Sequence, residues 1–360
     1  MLGIDRRTAH AVWTALVILL GVWLVWLART TIVLFALSLL FAYLLTPVLR
    51  LVHRFTPGRV SPEVSLAIVY LLLVALMTSA GIAIGSRIGE EASNLAAKLP
   101  ALVQDPQWEN HIPLPQWLEP HRANVVEFLR TEVLQSGRDV VPYLQRMAEQ
   151  VVLGARYVGY LVLVPVLAFF FLKDGERLLA RLLNQLGHGP ARTSAEEILA
   201  DIDRVLGQYM RALVLQSLSA FIWYSLFLTF TGAPYAMLLS AIAGPLEFLP
   251  VIGPLAAGVL TAFVTGIAGY PHVVWFVVFW LLLRGFQDYA LVPFLLGAGI
   301  EMYPLLILFG VLAGEQVAGV AGMFFSVPII AISTVVVGRL RENGNGPAPL
   351  GVRTPPDSVE

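Results

Sequence analysis

"YAMLLSAIAGPLEFLPVIGPLAAGVLTAFVTGIA", residues 235–268, is apolar apart from one carboxylate, Glu247, and the helix breakers around it. A membrane crossing takes about 20 apolar residues, each rising about 1.5 Å through about 30 Å of hydrocarbon. This stretch is too long for one straight crossing. Each half, cut at Gly244, Pro245, Pro250, Gly253 and Pro254, is too short. Two arrangements satisfy that length: a broken helix that still crosses, or a re-entrant hairpin whose turn sits at membrane depth. The same choice recurs in "PLLILFGVLAGEQVAGVAGMFFSVPIIAISTVVVG", 304–338, broken near Gly314, Gly319 and Gly322.

The rest of the chain supports a membrane setting. Of 360 residues 58% are hydrophobic and only 13% charged, and mean hydropathy is +0.77; soluble domains average about a quarter charged. The formal net charge of −1 gives no basic excess to recruit nucleic acid. Cysteine is absent, which removes disulfides, thiolate metal sites and Cys nucleophiles together. The six histidines show no HExxH or His-x₃-His spacing. No Ser elbow, paired carboxylates or phosphate-binding loop is present. No enzyme activity, metal or cofactor is therefore expected, and the lack of a P-loop argues against a primary ATP-driven pump.

Three early spans are expected within 1–86, the first two ("AVWTALVILLGVWLVWLA", 11–28, and "TTIVLFALSLLFAYLLTPVL", 30–49) forming a hairpin about Arg29. Arg50, Arg54 and Arg59 mark the following loop as cytoplasmic, as Arg6 and Arg7 mark the N-terminus. Residues 87–150 carry charges at helical spacing around a Pro- and Trp-rich middle, and read as a small helical domain on the outer side. A fourth span, 151–172, contains Pro165 and ends on "FFFLKDGERL", 169–178. Lys173, Asp174 and Gly175 there read as an anchor or hinge, with Gly175 turning the chain into cytoplasmic amphipathic helices over 173–211. Gly187 to Pro190 ends the first of these, and Ser194 with Glu197 reads as a capping box opening the next. A C-terminal transport block, 212–338, follows, then a Pro/Gly-rich tail, 339–360, read as disordered and cytoplasmic. Counting the two broken segments as crossings gives eight spans, and as hairpins six. The fold class is thus an all-α polytopic membrane protein of six to eight transmembrane helices plus a small extramembrane domain.

Charge at membrane depth costs about 2.5–3.5 kcal/mol per residue on insertion scales and is kept mostly where it faces a cavity or a partner. The candidates for a substrate or ion pathway are Glu247, with Pro250 and Gly253 in the first break; Arg284, Gln287 and Asp288 in the span 273–296; and Glu315 with Gln316 at the second break. Arg284 and Asp288 are one helical turn apart and suited to pair. Glu301, just before Pro304, reads as an exposed loop residue.

"FFFLKDGERL", then "EFLPVIGP", then "QDYALVPFLLGAGIEMYPLLILFGVLAGEQVAGVAGMFFSVPIIAI" resemble, in order and spacing, the autoinducer-2 exporter family of bacterial and archaeal membrane proteins. The resemblance covers nearly the whole chain. It implies a secondary transporter in the cell (inner) membrane, assembled as a homo-oligomer, a pentamer being one form. Some members are linked to autoinducer-2 export and others to sodium or lithium exchange for protons. It carries over to Lys173-Asp174-Gly175, to Pro250 and Gly253, and to the segments 288–293 and 314–328. It does not cover Glu247, where members commonly carry Asn or another residue. The expected partners are a small polar solute, sodium and protons, and the lipid bilayer. A sodium/proton antiporter and a non-transporting scaffold acting through the outer domain stand as the rival functions.

Overall fold

The structure, a computed structural model, describes residues 6–55, 61–104, 155–185, 187, 189–296 and 304–342, and all regular structure in them is helical. Most of the expected outer domain, Glu301 and the tail beyond 342 lie outside the described residues. Among the described residues, five helices are long and apolar enough to cross a membrane: Arg29–Val52, Glu63–Lys98, Pro190–Phe230, Val273–Leu295 and Pro304–Leu340. Shorter apolar helices, Val12–Leu27, Ala236–Leu246 and Ile252–Ile267, accompany them. The chain is an all-α polytopic membrane protein.

Helix α1 (Arg6–Leu27) does not fold back on α2 (Arg29–Phe55). The Ala28 amide donates to the Leu24 carbonyl at 2.9 Å and the Ile32 amide to the Ala28 carbonyl at 2.9 Å, so helical bonding runs through the junction. The expected hairpin is absent for a local reason. Neither Ala28 nor Arg29 is a Gly or Pro, and a reversal needs residues that leave the helical pattern. Arg29 instead lays its guanidinium 4.9 Å from the Trp26 ring centroid.

α3 (Pro62–Gln104) and α4 (Ala155–Asn184) run straight through two further expected boundaries, at 86/87 and 172/173. The chain does not turn at Gly175; it turns at Gly187, whose φ is +71°. Ser38, Ala42 and Leu45 form the buried face of α2, which α4 approaches closely enough for Phe35 and Phe171 to meet edge to face. The Tyr70 hydroxyl on α3 donates to the Pro165 carbonyl in α4 at 2.7 Å.

α5 (Pro190–Phe230) is the axis of the fold. Pro190 occupies its first turn after Gly189, so Ser194 and Glu197 lie inside the helix and the expected capping box does not form. Forty-one residues at 1.5 Å reach about 62 Å, roughly twice the hydrocarbon thickness, and α5 continues unbroken through the expected boundary at 211/212. Its buried face reads Leu206, Met210, Leu213, then Ala220, Tyr224, Leu228, with Gln216 and Ser217 in the gap between the two runs.

Two helical hairpins pack on this axis from opposite ends. The first comprises α6 (Ala236–Leu246) and α7 (Ile252–Ile267). It starts beside Leu228 of α5 and ends beside Gln216 and Ser217, so α6 runs antiparallel to α5. Its turn is tight: the Ile252 amide donates to the Pro250 carbonyl across Val251, which holds φ +65° and ψ −55°. A Cβ at Gly253 would lie 1.7 Å from the Leu246 carbonyl oxygen, so only glycine closes the turn. At the other end the Glu91 carboxylate of α3 accepts the Leu238 amide at 2.8 Å, satisfying one of the free donors of the first turn of α6. α8 (Val273–Phe286) then packs on α7 and α5, followed by a π-helical turn, Gln287–Leu291, and the short α9 (Val292–Leu296).

The second hairpin is α10 (Pro304–Glu342). Its backbone leaves the helix at Ala318 (φ −140°, ψ 18°) and Gly319 (φ 60°, ψ −139°). Gly310 faces Ser326 and Ile330, while Gly314 faces Gly322, pairs centred on the break; the long apolar helix is therefore two antiparallel arms. The return arm runs antiparallel to α5, with Phe324 and Val327 packed with Met210 and Leu213, and Arg339 bonded to Asp201 at 2.7 Å. The turns of both hairpins thus approach the same stretch of α5, and Phe248 meets Phe324 with ring centroids 6.0 Å apart.

A Cβ at Gly322 would lie 1.8 Å from the Gly314 carbonyl oxygen, whereas one at Gly338 meets nothing within 4 Å. Gly322→Ala is therefore expected to cost about 1–3 kcal/mol through overpacking, and Gly338→Ala to be neutral or slightly stabilising. Thermal unfolding of the detergent-purified variants checks this; equal midpoints for the two would show that the arms are not packed backbone to backbone.

Candidate functional site

The turn of the first hairpin places Glu247 almost wholly out of solvent, at 5% exposure. A carboxylate removed from water needs partners that replace its hydration. Two elements supply them. Gln216 of α5 donates Nε2 to Glu247 Oε2 at 2.9 Å, and Arg284 of α8 donates Nη1 to the same oxygen at 3.2 Å. Arg284 also donates Nε to Asp288 Oδ2 at 2.9 Å and Nη2 to Asp288 Oδ1, a two-pronged pairing. Two carboxyl groups thus face one guanidinium.

Exposure is graded across the cluster. Glu247 is 4% exposed at its side chain, Arg284 25% and Asp288 44%, so the guanidinium joins a buried carboxylate to one at the surface of the helical body. The π-helical turn begins beside Arg284, and within it Gln287 is 1% exposed and donates to the Gln216 carbonyl at 3.4 Å. π turns commonly mark functional sites in helices. Ser217 donates to the Gly244 carbonyl at 2.8 Å, fastening the incoming arm of the hairpin to α5 one residue from Gln216.

Of the residues expected from the sequence, Glu247, Arg284, Gln287 and Asp288 come together here. Pro250 and Gly253 shape the turn that holds Glu247. Glu315 and Gln316 stand exposed near the turn of the second hairpin, and no hydrogen bond or ion pair links them to Glu247 among the described residues. Asp174 faces Arg177 at 3.9 Å on the exposed side of α4, and Lys173 is exposed. Gln216 and Ser217 were not anticipated. The signal was present: they form a polar pair inside the apolar run of α5, at the level a buried carboxylate would need a donor.

A multi-pass helical body whose buried charges gather at the turn of a short hairpin suits a membrane transporter. The chain belongs to the AI-2E family of transporters, whose family profile, "AI-2E family transporter", matches residues 13–342. Among its relatives, a "Putative transport protein" of Methanothermobacter thermautotrophicus is 27% identical over 319 residues, 86% of this chain and 88% of the relative. "Putative transport protein YueF" of Bacillus subtilis is 22% identical over 305 residues, covering 81% and 79% of the two chains. "Putative transport protein YrrI" of the same organism is 28% identical over 174 residues; that match spans about half of each chain, 48% and 49%.

Replacing Arg284 by Met strands Glu247 without its cation, and breaking a buried pair from one side costs about 3–5 kcal/mol. Adding Glu247→Gln removes the stranded charge, so the R284M/E247Q double variant is expected to recover at least about 1 kcal/mol relative to R284M alone. Chemical unfolding of the four proteins of this cycle in detergent measures the coupling; strictly additive losses would mean that the two side chains are energetically independent.

Proposed function

We propose that the protein is a secondary transporter of the cell (inner) membrane that exports a small polar solute, autoinducer-2-like in character, on the energy of an ion gradient. The observation that carries the proposal is the meeting of two opposed hairpin turns, Phe248 of one against Phe324 of the other, beside the charge cluster of Glu247, Gln216 and Arg284. At about 1.5 Å per residue, the 11 residues of α6 and 16 of α7 reach about 16 Å and 24 Å, short of about 30 Å of hydrocarbon. On this proposal both hairpins re-enter, and their turns meet near the membrane midplane. Opposed half-spans around a midplane site are how many secondary transporters expose one site alternately to each side. The arginines of α5 and of the end of α10 support cytoplasmic termini by the positive-inside rule. The apolar outer faces of α2 and α3 suit lipid or further copies of the chain in a homo-oligomer. The segment 87–150 then serves as an outer-side cap, and Lys173-Asp174-Gly175 anchors α4 at the cytoplasmic interface.

A sodium or lithium/proton antiporter is the second function, favoured by the excess of carboxyl groups over cations in the Glu247, Arg284 and Asp288 cluster, which could hold a cation or a proton in turn. Full-length protein in liposomes separates the two. On the exporter proposal, wild type moves an autoinducer-2-like solute, and Glu247→Gln spares that flux. On the antiporter alternative, Glu247→Gln lowers proton-coupled sodium flux at least tenfold. Wild-type protein that moves neither the solute nor sodium against protons contradicts both.

A further inference from the structure

A second charged feature lies apart from the Glu247 cluster. Between the C-terminal turns of α2 and the N-terminal half of α5 is a cavity of about 250 Å³ whose walls include Tyr43, Arg50, Asp203, Arg204 and Arg211. Three guanidinium groups therefore face one carboxylate. Asp203 shares the cavity wall with Tyr43, and Arg204 is drawn toward Asp201 at 3.5 Å. Among the described residues, Arg50 and Arg211 have no carboxylate within ion-pair distance. With Arg204 turned to Asp201, the cavity sets two arginines, one on each wall, against the single carboxylate of Asp203, an excess of positive charge among the described residues.

Its place in the fold narrows the ligand. The membrane-spanning stretch of α2 ends at Val52, so Arg50 stands where that apolar helix meets the polar layer. Basic pockets between membrane helices at that level attract anionic headgroups, and guanidinium forks match phosphate oxygens in pairs. The volume lies below the roughly 300–1,000 Å³ of pockets for drug-sized ligands and suits a small anion or one headgroup. We propose that this cavity binds a phosphate-bearing anion clamped between Arg50 of α2 and Arg211 of α5. A phospholipid headgroup and free phosphate share that chemistry. The site does not depend on which solute the transporter carries, and its failure would leave the Glu247 proposal untouched.

Full-length protein in a neutral detergent tests it. The thermal midpoint is followed at constant ionic strength while inorganic phosphate is titrated in one arm and short-chain phosphatidylglycerol in the other, with short-chain phosphatidylcholine as the reference. A saturable rise is expected in at least one arm. The double variant R50Q/R211Q should raise the half-saturating concentration at least tenfold, while R177Q, on an arginine 76% exposed and outside the cavity, leaves it unchanged. A response to phosphate assigns the free anion, and one to phosphatidylglycerol alone assigns the headgroup. Should the double variant fail to purify as a single species, R50Q and R211Q separately must each weaken the response at least threefold. No saturable response in either arm, or a response that the variants leave intact, overturns the proposal.

Discussion

A carboxylate taken out of water must be repaid in hydrogen bonds, and in this protein Glu247 is repaid by residues distant in sequence. Gln216 comes from the long axis helix and Arg284 from the helix after the hairpin, so one oxygen of Glu247 ties α5, the hairpin turn and α8 together. Removing any one of the three leaves a buried polar group short of a partner, and that penalty is large in a low-dielectric interior. The cluster therefore sets where the turn of the first hairpin lies along α5. Ser217 and Gly244 fix the same register one residue away.

Around this point the packing is polar in the middle and apolar at both ends. One apolar cluster joins the outgoing half of α5 to the first hairpin and α8, through Leu228, Leu239 and Phe276. Another joins the incoming half of α5 to α2 and the second hairpin, through Leu40, Met210 and Phe324. Each hairpin is closed by glycine at a contact no Cβ could enter, Gly253 against Leu246 and Gly314 against Gly322. Val251, a β-branched residue at positive φ, adds local strain beside Glu247, and strain of that kind persists where surrounding contacts over-determine it. A strained turn held by an ion pair that reaches the surface of the helical body through Asp288 is suited to a two-state element, which alternating access requires.

Much of this was legible in the sequence wherever the determining signal is local. Apolar runs of spanning length gave the helices, and the Gly and Pro clusters located both turns. The four-residue spacing of Arg284 and Asp288 predicted their pairing. What was illegible depended on contacts between distant segments. Nothing near Arg284 announces Glu247, 37 residues earlier, and nothing near Glu91 announces the first turn of α6. Whether a broken apolar stretch folds back or continues is likewise decided by partners, here Gly314 against Gly322. Three local expectations failed for local reasons: Ala28 and Arg29 kept helical bonding, Gly175 sat in an unbroken helix, and Pro190 began α5 ahead of Ser194.

The central claim is that the turns of the two hairpins meet beside Glu247 and must part for solute to pass. The chain has no cysteine, so a pair can be introduced without background. With Phe248→Cys and Phe324→Cys, a short bis-maleimide is expected to cross-link the two turns in high yield, Phe248 and Phe324 being 6.0 Å apart at their ring centroids. The measurement is solute flux in liposomes before and after cross-linking, with each single-cysteine variant treated alike. The account predicts that the doubly substituted protein loses at least nine-tenths of its flux while the single variants keep theirs. Full flux through cross-linked protein would contradict it.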